Sequence, residues 1–306
     1  MTVLLESTDV EKKFILGHSH FSKIKKHITA LRKLSVKVNE GKSIGIVGES
    51  GSGKTTLAKI LAGIIKPDSG FVYYKNKITF DKEVYKFYRK NVQMIFQDPY
   101  ASFSPRLKIY SSLKDGIKKH ITKNQSKIKD ICINLLKVVS LDEQSLRKYP
   151  HEFSGGQLQR LSLVRALSLN PEIIIADEPV SALDVSIQAQ ILNLLKGLKD
   201  KDGTSFILIA HDLAIVRYLC DEVYVLYKGL LLEYGVSTEI FENAKHPYTK
   251  FLIEASKKKI LEVKNFNNVG ICPFSNRCPY FNNNCKNEIE LVKINDFHYV
   301  RCTLFY

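Results

Sequence analysis

The sequence predicts an α/β fold built on a parallel sheet covered on both faces, and three runs of residues predict it. Ser43 to Val47 is a short apolar, β-rich run, followed by a glycine-rich turn and a helical pattern. Ile173-Ile174-Ile175-Ala176 is a second apolar run, closing on Asp177 and Glu178. Phe206 to Ala210 is a third, closing on His211. Runs that are apolar at every position are strands buried on both faces, and their alternation with helical stretches is the pattern of a parallel sheet. Polar residues at the carboxyl ends of such strands sit where open α/β sheets bind ligands.

A chain of 306 residues has room for about two domains. With 44% hydrophobic and 25% charged residues, the composition excludes a disordered chain, a collagen and a coiled coil. No stretch approaches the roughly 18 consecutive apolar residues of a membrane span. The start, MTVLLESTDVEKKF, has no basic region ahead of an apolar run, so no secretory signal is read and the chain is expected to stay in the cytoplasm. The formal charge of +15 speaks to partners, namely nucleotides, nucleic acid or an anionic membrane face, and not to fold. The excess is mostly Lys, which equally suits a Lys-rich proteome.

In chain order, the first strand leads into Gly48-Glu49-Ser50-Gly51-Ser52-Gly53-Lys54-Thr55, which fits G-x-x-x-x-G-K-[ST] without a mismatch. Gly48, Gly51 and Gly53 let backbone N–H groups wrap phosphates, and the helix N-terminus adds its positive dipole end. Lys54 is expected to reach the β- and γ-phosphates and Thr55 to ligate Mg²⁺, with Ser50 and Thr56 in the same cradle. The helix is expected over Thr55 to Ile65. Between about Pro105 and Glu152 no buried strand appears, while SLKDGIKKHI and IKDICINLLKVVSL have helical periodicity, so a helical subdomain is inserted at about 100–153. Asp177 closes a buried strand, where an acid is costly without a partner, and Mg²⁺ supplies one. Glu178 follows, placed to polarise an attacking water. The boundaries are 1–245 for the nucleotide-binding domain and 246–306 for a Cys-rich extension.

Ser154-Gly155-Gly156-Gln157, followed by Leu158-Gln159-Arg160, resembles the signature motif of ATP-binding cassette (ABC) ATPases. Gln97 resembles that family's Q-loop glutamine, Ser181-Ala182-Leu183-Asp184 its D-loop and His211 its switch histidine. The elements occur in the family's order, and the resemblance covers roughly residues 3–245. It implies an ABC-type P-loop domain that pairs head to tail with a second one and sandwiches two ATP molecules. Lys54, Thr55, Gln97, Asp177, Glu178 and His211 would act from one side, with Thr55, Gln97 and Asp177 around Mg²⁺. Ser154, Gly155, Gly156, Gln157 and Asp184 would serve the paired site, Ser154 and Gly156 reaching the γ-phosphate on the partner. Glu178 is the implied general base, and His211 holds the γ-phosphate and water. Phe14 is the implied adenine platform, because Val10-Glu11-Lys12-Lys13-Phe14 resembles the end of the family's first strand; Phe21 is a rival.

The stretch Phe96-Gln97-Asp98-Pro99-Tyr100-Ala101-Ser102-Phe103-Ser104-Pro105-Arg106 resembles the Q-loop of oligopeptide/dipeptide permease ATPases, with Ser104 where Asn is usual. Glu178 to Gln190 and His211 to Tyr218 are close to the same wording, and His246-Pro247-Tyr248-Thr249 resembles the opening of the C-terminal domain of peptide and nickel importers. The long segment between Phe14 and Leu31 resembles the second of the two ATPase subunits in such permeases. The implied partners are a sister ATPase, two integral membrane permease subunits and, indirectly, an extracytoplasmic peptide-binding protein. The implied location is the cytoplasmic face of the cell (inner) membrane.

Cys272, Cys278, Cys285 and Cys302 lie in the last thirty-five residues, with five, six and sixteen residues between them. The spacings are too wide for a zinc knuckle and differ from the tight ferredoxin run. They resemble the cysteine pattern that ends many peptide-permease ATPases, which implies a [4Fe–4S] cluster; zinc and unmetallated thiols stay open. Cys132 and Cys220 read as packing residues, and His298 as a possible further ligand or a core histidine.

Two other functions compete. A nickel or metal-chelate importer ATPase shares the motifs, because the substrate is read by other chains. A soluble ABC ATPase acting on nucleic acid or ribosomes would use the positive charge, but the patches at Lys23, Lys25, Lys26 and Lys257 to Lys259 contain few aromatics, so no nucleic-acid partner is expected.

Overall fold

The computed structural model describes residues 2–16, 26–181, 183–257 and 268–306. Phe21, Lys23, Lys25, Ala182, Lys258 and Lys259 lie outside the described residues. From the N-terminus, strands β1 (Val3–Leu16), β2 (Lys26–Asn39) and β3 (Ser43–Val47) lead into helix α1 (Lys54–Leu61), then β4 (Ser69–Tyr74) and β5 (Lys77–Ile78). Helix α2 (Lys82–Asn91), β6 (Val92–Ile95) and helices α3 (Ile109–His120), α4 (Gln125–Val138) and α5 (Gly155–Leu167) follow. Then come β7 (Ile173–Asp177), α6 (Val185–Asp202), β8 (Ser205–Ile209) and α7 (Leu213–Leu219). The chain closes with β9 (Glu222–Tyr227), β10 (Leu230–Val236), α8 (Ser237–Glu242), α9 (Pro247–Ser256) and the pair β11 (Val292–Asn295) and β12 (His298–Val300).

The chain divides into two compact units, one of residues 1–39, 43–78 and 209–306, the other of 40–42 and 79–208. In the first unit β2-β1-β4-β5 form an antiparallel sheet, and β11-β12-β10-β9-β3 are neighbours in that order. Among the described residues β3 and β9 pair parallel there, with Gly45 opposite Val223; β9–β10, β10–β12 and β11–β12 are antiparallel. The expectation of a parallel sheet is therefore corrected to a mixed one. The hairpin β11–β12 continues the strands from β10, so part of the C-terminal extension is sheet. In the second unit β8, β7 and β6 are neighbours, and Val92 of β6 sits opposite Ile173 in a parallel pair.

The three apolar runs are β3, β7 and β8, each buried at all five positions. Burying one such side chain contributes about 1.5–3 kcal/mol. The first helix ends earlier than its apolar pattern suggests. Gly63 turns left-handed (φ 67), and Gly63 and Ile64 donate to the Ile60 and Lys59 carbonyls at 2.9 and 2.8 Å. That paired closure satisfies the last carbonyls and leaves Ile64 and Ile65 outside the helix.

The helical insertion is present as α3 and α4. Ile109, Leu113 and Ile117 line one face of α3, and Ile128, Cys132 and Leu136 line one face of α4, all buried at i, i+4, i+8 spacing. Asn124 caps α4 through the Lys127 N–H. Cys132 is thus a packing residue, its thiol pushed up to about 11 by burial. Cys220, also buried, ends α7, with its sulfur against Gly45.

Candidate active site

The predicted residues divide between the units. In the first, β3 delivers the chain to Gly48, where φ is 149 and a Cβ would come within 2.1 Å of the Leu226 carbonyl. At Gly53, the residue before α1, φ is 101 and a Cβ would meet the Ala30 carbonyl at 2.5 Å. Only glycine fits either position, so the loop is pinned against β9 and β2. Lys54 is buried, and its Nζ donates to the Gly48 carbonyl at 2.7 Å, the Glu49 carbonyl at 2.9 Å and Ser52 Oγ at 3.4 Å. The ammonium is therefore held inside the loop, directly before Thr55 and Thr56 on the first turn of α1. Ser50 and Gly51 form the exposed crest of the loop. A positive group at a helix N-terminus within a glycine-rich loop is a site for polyphosphate.

Phe14 lies near the end of β1, opposite Ile28 of β2. Ala30, which packs on Gly53, is two residues further along β2. The ring is 39% exposed, and Lys12 Nζ stands 5.8 Å from its centroid. His211 is exposed before α7, whose first turn is capped by Asp212 Oδ1 accepting from the Ala214 N–H at 2.8 Å.

In the second unit, Asp177 ends β7 and is buried at 2% exposure. Glu178 adopts a left-handed backbone (φ 51), costly for a residue with a Cβ and typical of functional turns. Its Oε2 accepts from Gln97 Nε2 at 3.0 Å. The expected Q-loop glutamine and the expected general base are thus in direct contact. Ser154 caps α5: its Oγ accepts from the Gln157 N–H at 3.3 Å, while Gln157 Oε1 accepts from the Ser154 N–H at 3.1 Å. This reciprocal box satisfies two helix-end donors and fixes the approach of Gly155 and Gly156. A Cβ on Gly155 would meet nothing within 4 Å, so packing within the chain does not require glycine there. Asp184 caps α6 through the Ile187 N–H at 2.9 Å.

Three residues given no role from the sequence bear on the phosphate loop. The Glu49 N–H donates to Tyr248 Oη at 2.8 Å, and both Glu49 carboxylate oxygens accept from Arg277 Nη1 at 2.9 Å. Tyr248 stood in the His246 to Thr249 motif without an assigned partner. Arg277 carried no signal, since 228 residues separate it from Glu49.

The C-terminal thiols are free, with Cys285 and Cys302 buried and Cys272 and Cys278 half-buried. Burial pushes Cys272 up to about 11, and Cys278, Cys285 and Cys302 stand close enough to add to the effect. Burial likewise pushes Cys278 up to about 11 and raises Cys302. Four thiols are a donor set of the kind that holds iron–sulfur or zinc centres. Among the described residues, however, no three His, Cys, Asp or Glu side chains are arranged to hold a metal ion. His298 turns elsewhere. It is fully buried, with Nε2 2.6 Å from Glu233 Oε1, and that carboxylate also accepts from the Lys245 and His246 N–H groups at 2.6 and 3.0 Å. His298 is thus a core residue joining β12 to β10.

These geometries define a P-loop nucleotide-binding cassette, and comparison with known proteins agrees. The family profile "ABC transporter" matches residues 31–181, and "Oligopeptide/dipeptide transporter, C-terminal region" matches residues 232–285. The Oligopeptide transport ATP-binding protein AppF of Bacillus subtilis is 37% identical over 320 residues, covering 99% of this chain and 97% of that protein. The Dipeptide transport ATP-binding protein DppF of Haemophilus influenzae is 40% identical over 259 residues, covering 84% of this chain and 79% of that protein. An ATP-binding cassette solved as a dimer in a post-hydrolysis state, bound to ADP and Pi, superposes with a TM-score of 0.69 at 28% identity, covering 76% of this chain and 99% of that one. The chain belongs to the ABC transporter ATPases, in the branch of oligopeptide and dipeptide transport ATP-binding proteins. Among the described residues no helix is long and apolar enough to cross a membrane.

Proposed function

We propose that this chain binds and hydrolyses Mg-ATP to energise an importer of oligopeptides or dipeptides. The observation that carries the reading is the phosphate loop, with Lys54 Nζ held on the Gly48 and Glu49 carbonyls at the head of α1. With nucleotide bound, Lys54 would serve the β- and γ-phosphates, and Thr55, Gln97 and Asp177 would hold Mg²⁺. Glu178, oriented by Gln97, takes the proton of the attacking water, and His211 holds the γ-phosphate. Phe14 stacks on the adenine. Catalysis here is positioning and charge stabilisation, so each group matters by where it is fixed.

Each site is completed by a sister ATPase paired head to tail. The open space at Gly155 supports this, because glycine is explained there by an outside group and not by internal packing. Ser154, Gly156 and Gln157 would meet the partner's γ-phosphate, with Asp184 alongside. Two integral membrane permease subunits dock on the second unit, where a groove of about 300 Å³ is lined by Ser102, Leu107, Leu113, Gly116 and Leu169. An extracytoplasmic binding protein supplies the peptide, and the chain works peripherally at the cytoplasmic face of the inner membrane. The peptide substrate follows the named relatives.

The C-terminal cysteines are proposed to hold a [4Fe–4S] cluster, ligated by Cys272, Cys278, Cys285 and Cys302. When bound, it would tie the loops of the extension together. Iron, zinc and acid-labile sulfide per chain, measured after anaerobic purification beside Cys272→Ser, test this. About four irons with matching sulfide, lost in the variant, support the cluster; one zinc, or no metal, refutes it. The ATPase reading is tested by Mg-ATP hydrolysis in the assembled complex. Turnover abolished by Lys54→Ala is expected, and turnover that survives it would refute the assignment.

A further inference from the structure

We infer that Arg277 and Tyr248 are positioning residues for the nucleotide: from the C-terminal region they hold the phosphate loop in its binding shape through Glu49. The inference rests on reading Gly48 to Thr55 as the nucleotide cradle.

Every polar group of Glu49 is engaged. Its N–H donates to Tyr248 Oη at 2.8 Å. Its carbonyl accepts from Lys54 Nζ at 2.9 Å and from the Ser52 N–H at 3.1 Å. Its carboxylate takes Arg277 Nη1 on both oxygens at 2.9 Å. The second residue of the loop is therefore a strut between the cradle and the C-terminal region. Directing this N–H to a tyrosine turns it away from the cradle and fixes the peptide plane whose carbonyl holds Lys54.

The arginine is itself fixed from several sides. Its guanidinium lies 4.7 Å from the Phe251 ring centroid and 5.5 Å from that of Phe274. Nη1 also reaches Tyr227 Oη at 3.4 Å. Phe274 packs in turn on Tyr248 and Tyr227, at centroid distances of 5.3 and 5.6 Å. Phe251 and Phe274 thus flank the cation, and Tyr227 and Tyr248 pack behind Phe274. The arginine side chain is 16% exposed and that of Glu49 36%. An ion pair packed against two aromatic rings loses little side-chain entropy on forming, which separates it from ordinary surface pairs.

The turn that presents Arg277 is short and closed by its own hydrogen bonds. The Ser275 N–H donates to the Cys272 carbonyl at 3.0 Å and the Arg277 N–H to the Phe274 carbonyl at 2.9 Å. One nitrogen, Nη1, makes all of the arginine's polar contacts to Glu49 and Tyr227. A lysine could supply one such charged donor, so the conservative replacement is predicted to rescue.

The test is the Kd of Mg-ATP for the full-length chain, measured beside the melting temperature of the nucleotide-free protein. Arg277→Gln is expected to weaken binding by about 3- to 10-fold, tenfold being 1.4 kcal/mol. Arg277→Lys is expected to stay within about 2-fold of wild type, and Tyr248→Phe to weaken binding by about 2- to 5-fold, on the same scale. Combining Glu49→Gln with Arg277→Gln should cost no more than the larger single effect, since both remove one contact. An Arg277→Gln protein that melts lower but binds Mg-ATP as wild type does would overturn the inference, leaving the pair a plain staple. Full additivity in the double variant would overturn it as well. If Arg277→Gln does not fold, Tyr248→Phe and Arg277→Lys carry the test. Wild-type protein that binds no Mg-ATP would overturn the nucleotide reading itself.

Discussion

Gln97 donates from Nε2 to Glu178 Oε2 at 3.0 Å, joining the loop after β6 to the turn after β7. Glu178 is held there in a left-handed backbone conformation (φ 51) that a side chain of its kind adopts only under constraint. The proposed general base and the proposed orienting residue are therefore in direct contact. Glu178→Gln is predicted to keep Mg-ATP affinity within a few-fold and to lower turnover by at least about 100-fold, the usual contribution of a positioned base. Gln97→Ala removes this contact from the carboxylate, and is predicted to cost about 10-fold. Steady-state turnover in the assembled complex checks both.

Ser154 caps α5 and, in the proposed dimer, would also meet the partner's nucleotide. Ser154→Asp keeps a good cap, so stability should stay within about 0.5 kcal/mol of wild type, whereas Ser154→Ala should lose about 1 kcal/mol. The carboxylate would oppose the γ-phosphate across the dimer, so Ser154→Asp is predicted to abolish turnover. Denaturant unfolding read beside turnover separates the two effects.

His246 sets an acid limit on the start of α9. It is buried, and its Nδ1 accepts from the Tyr248 N–H at 3.0 Å, which protonation would prevent. Burial, partly opposed by the Glu233 charge, moves it down from 6.5 to about 4. The unfolded chain thus takes up this proton at a higher pH than the folded one. Stability is full above the unfolded value and falls as the pH drops from about 6.5 towards 4, by roughly 3 kcal/mol over that window. In His246→Asn, which keeps a capping acceptor, this part of the pH dependence should vanish. Denaturant midpoints at pH 7 and pH 4.5 for the two proteins are the check.

The buried strand β7 is predicted to tolerate truncation poorly. Ile174 is fully buried within that strand. Ile174→Ala should cost about 2–5 kcal/mol, as cavity-forming changes in packed cores do. Urea unfolding measures it directly.

The parts of the fold legible in the sequence were those whose burial is uniform. β3, β7 and β8 are apolar at nearly every position because both faces are covered, so their runs stand out against the helices. The antiparallel sheet β2-β1-β4-β5 was legible only at the end of β1. Register shifts fall between Ser7 and Val10 and between Val10 and Lys12, which breaks the alternation that marks a strand. Asp9 and Lys33 have positive φ within those strands, another feature without a composition signal. In the site, motif spacing located the loop, the acid pair and the capping serine, because each function is local in sequence. The contacts of Glu49 with Arg277 and Tyr248 depend on the folded C-terminal region and have no local pattern.

The most direct test of the account is peptide uptake by cells that lack this chain, complemented with the wild type or with Glu178→Gln. A labelled oligopeptide should enter only with the wild-type chain, and the variant should be present at the membrane but inactive. Equal uptake with both chains, or undiminished uptake in cells that lack the chain, would contradict the assignment of this ATPase to peptide import.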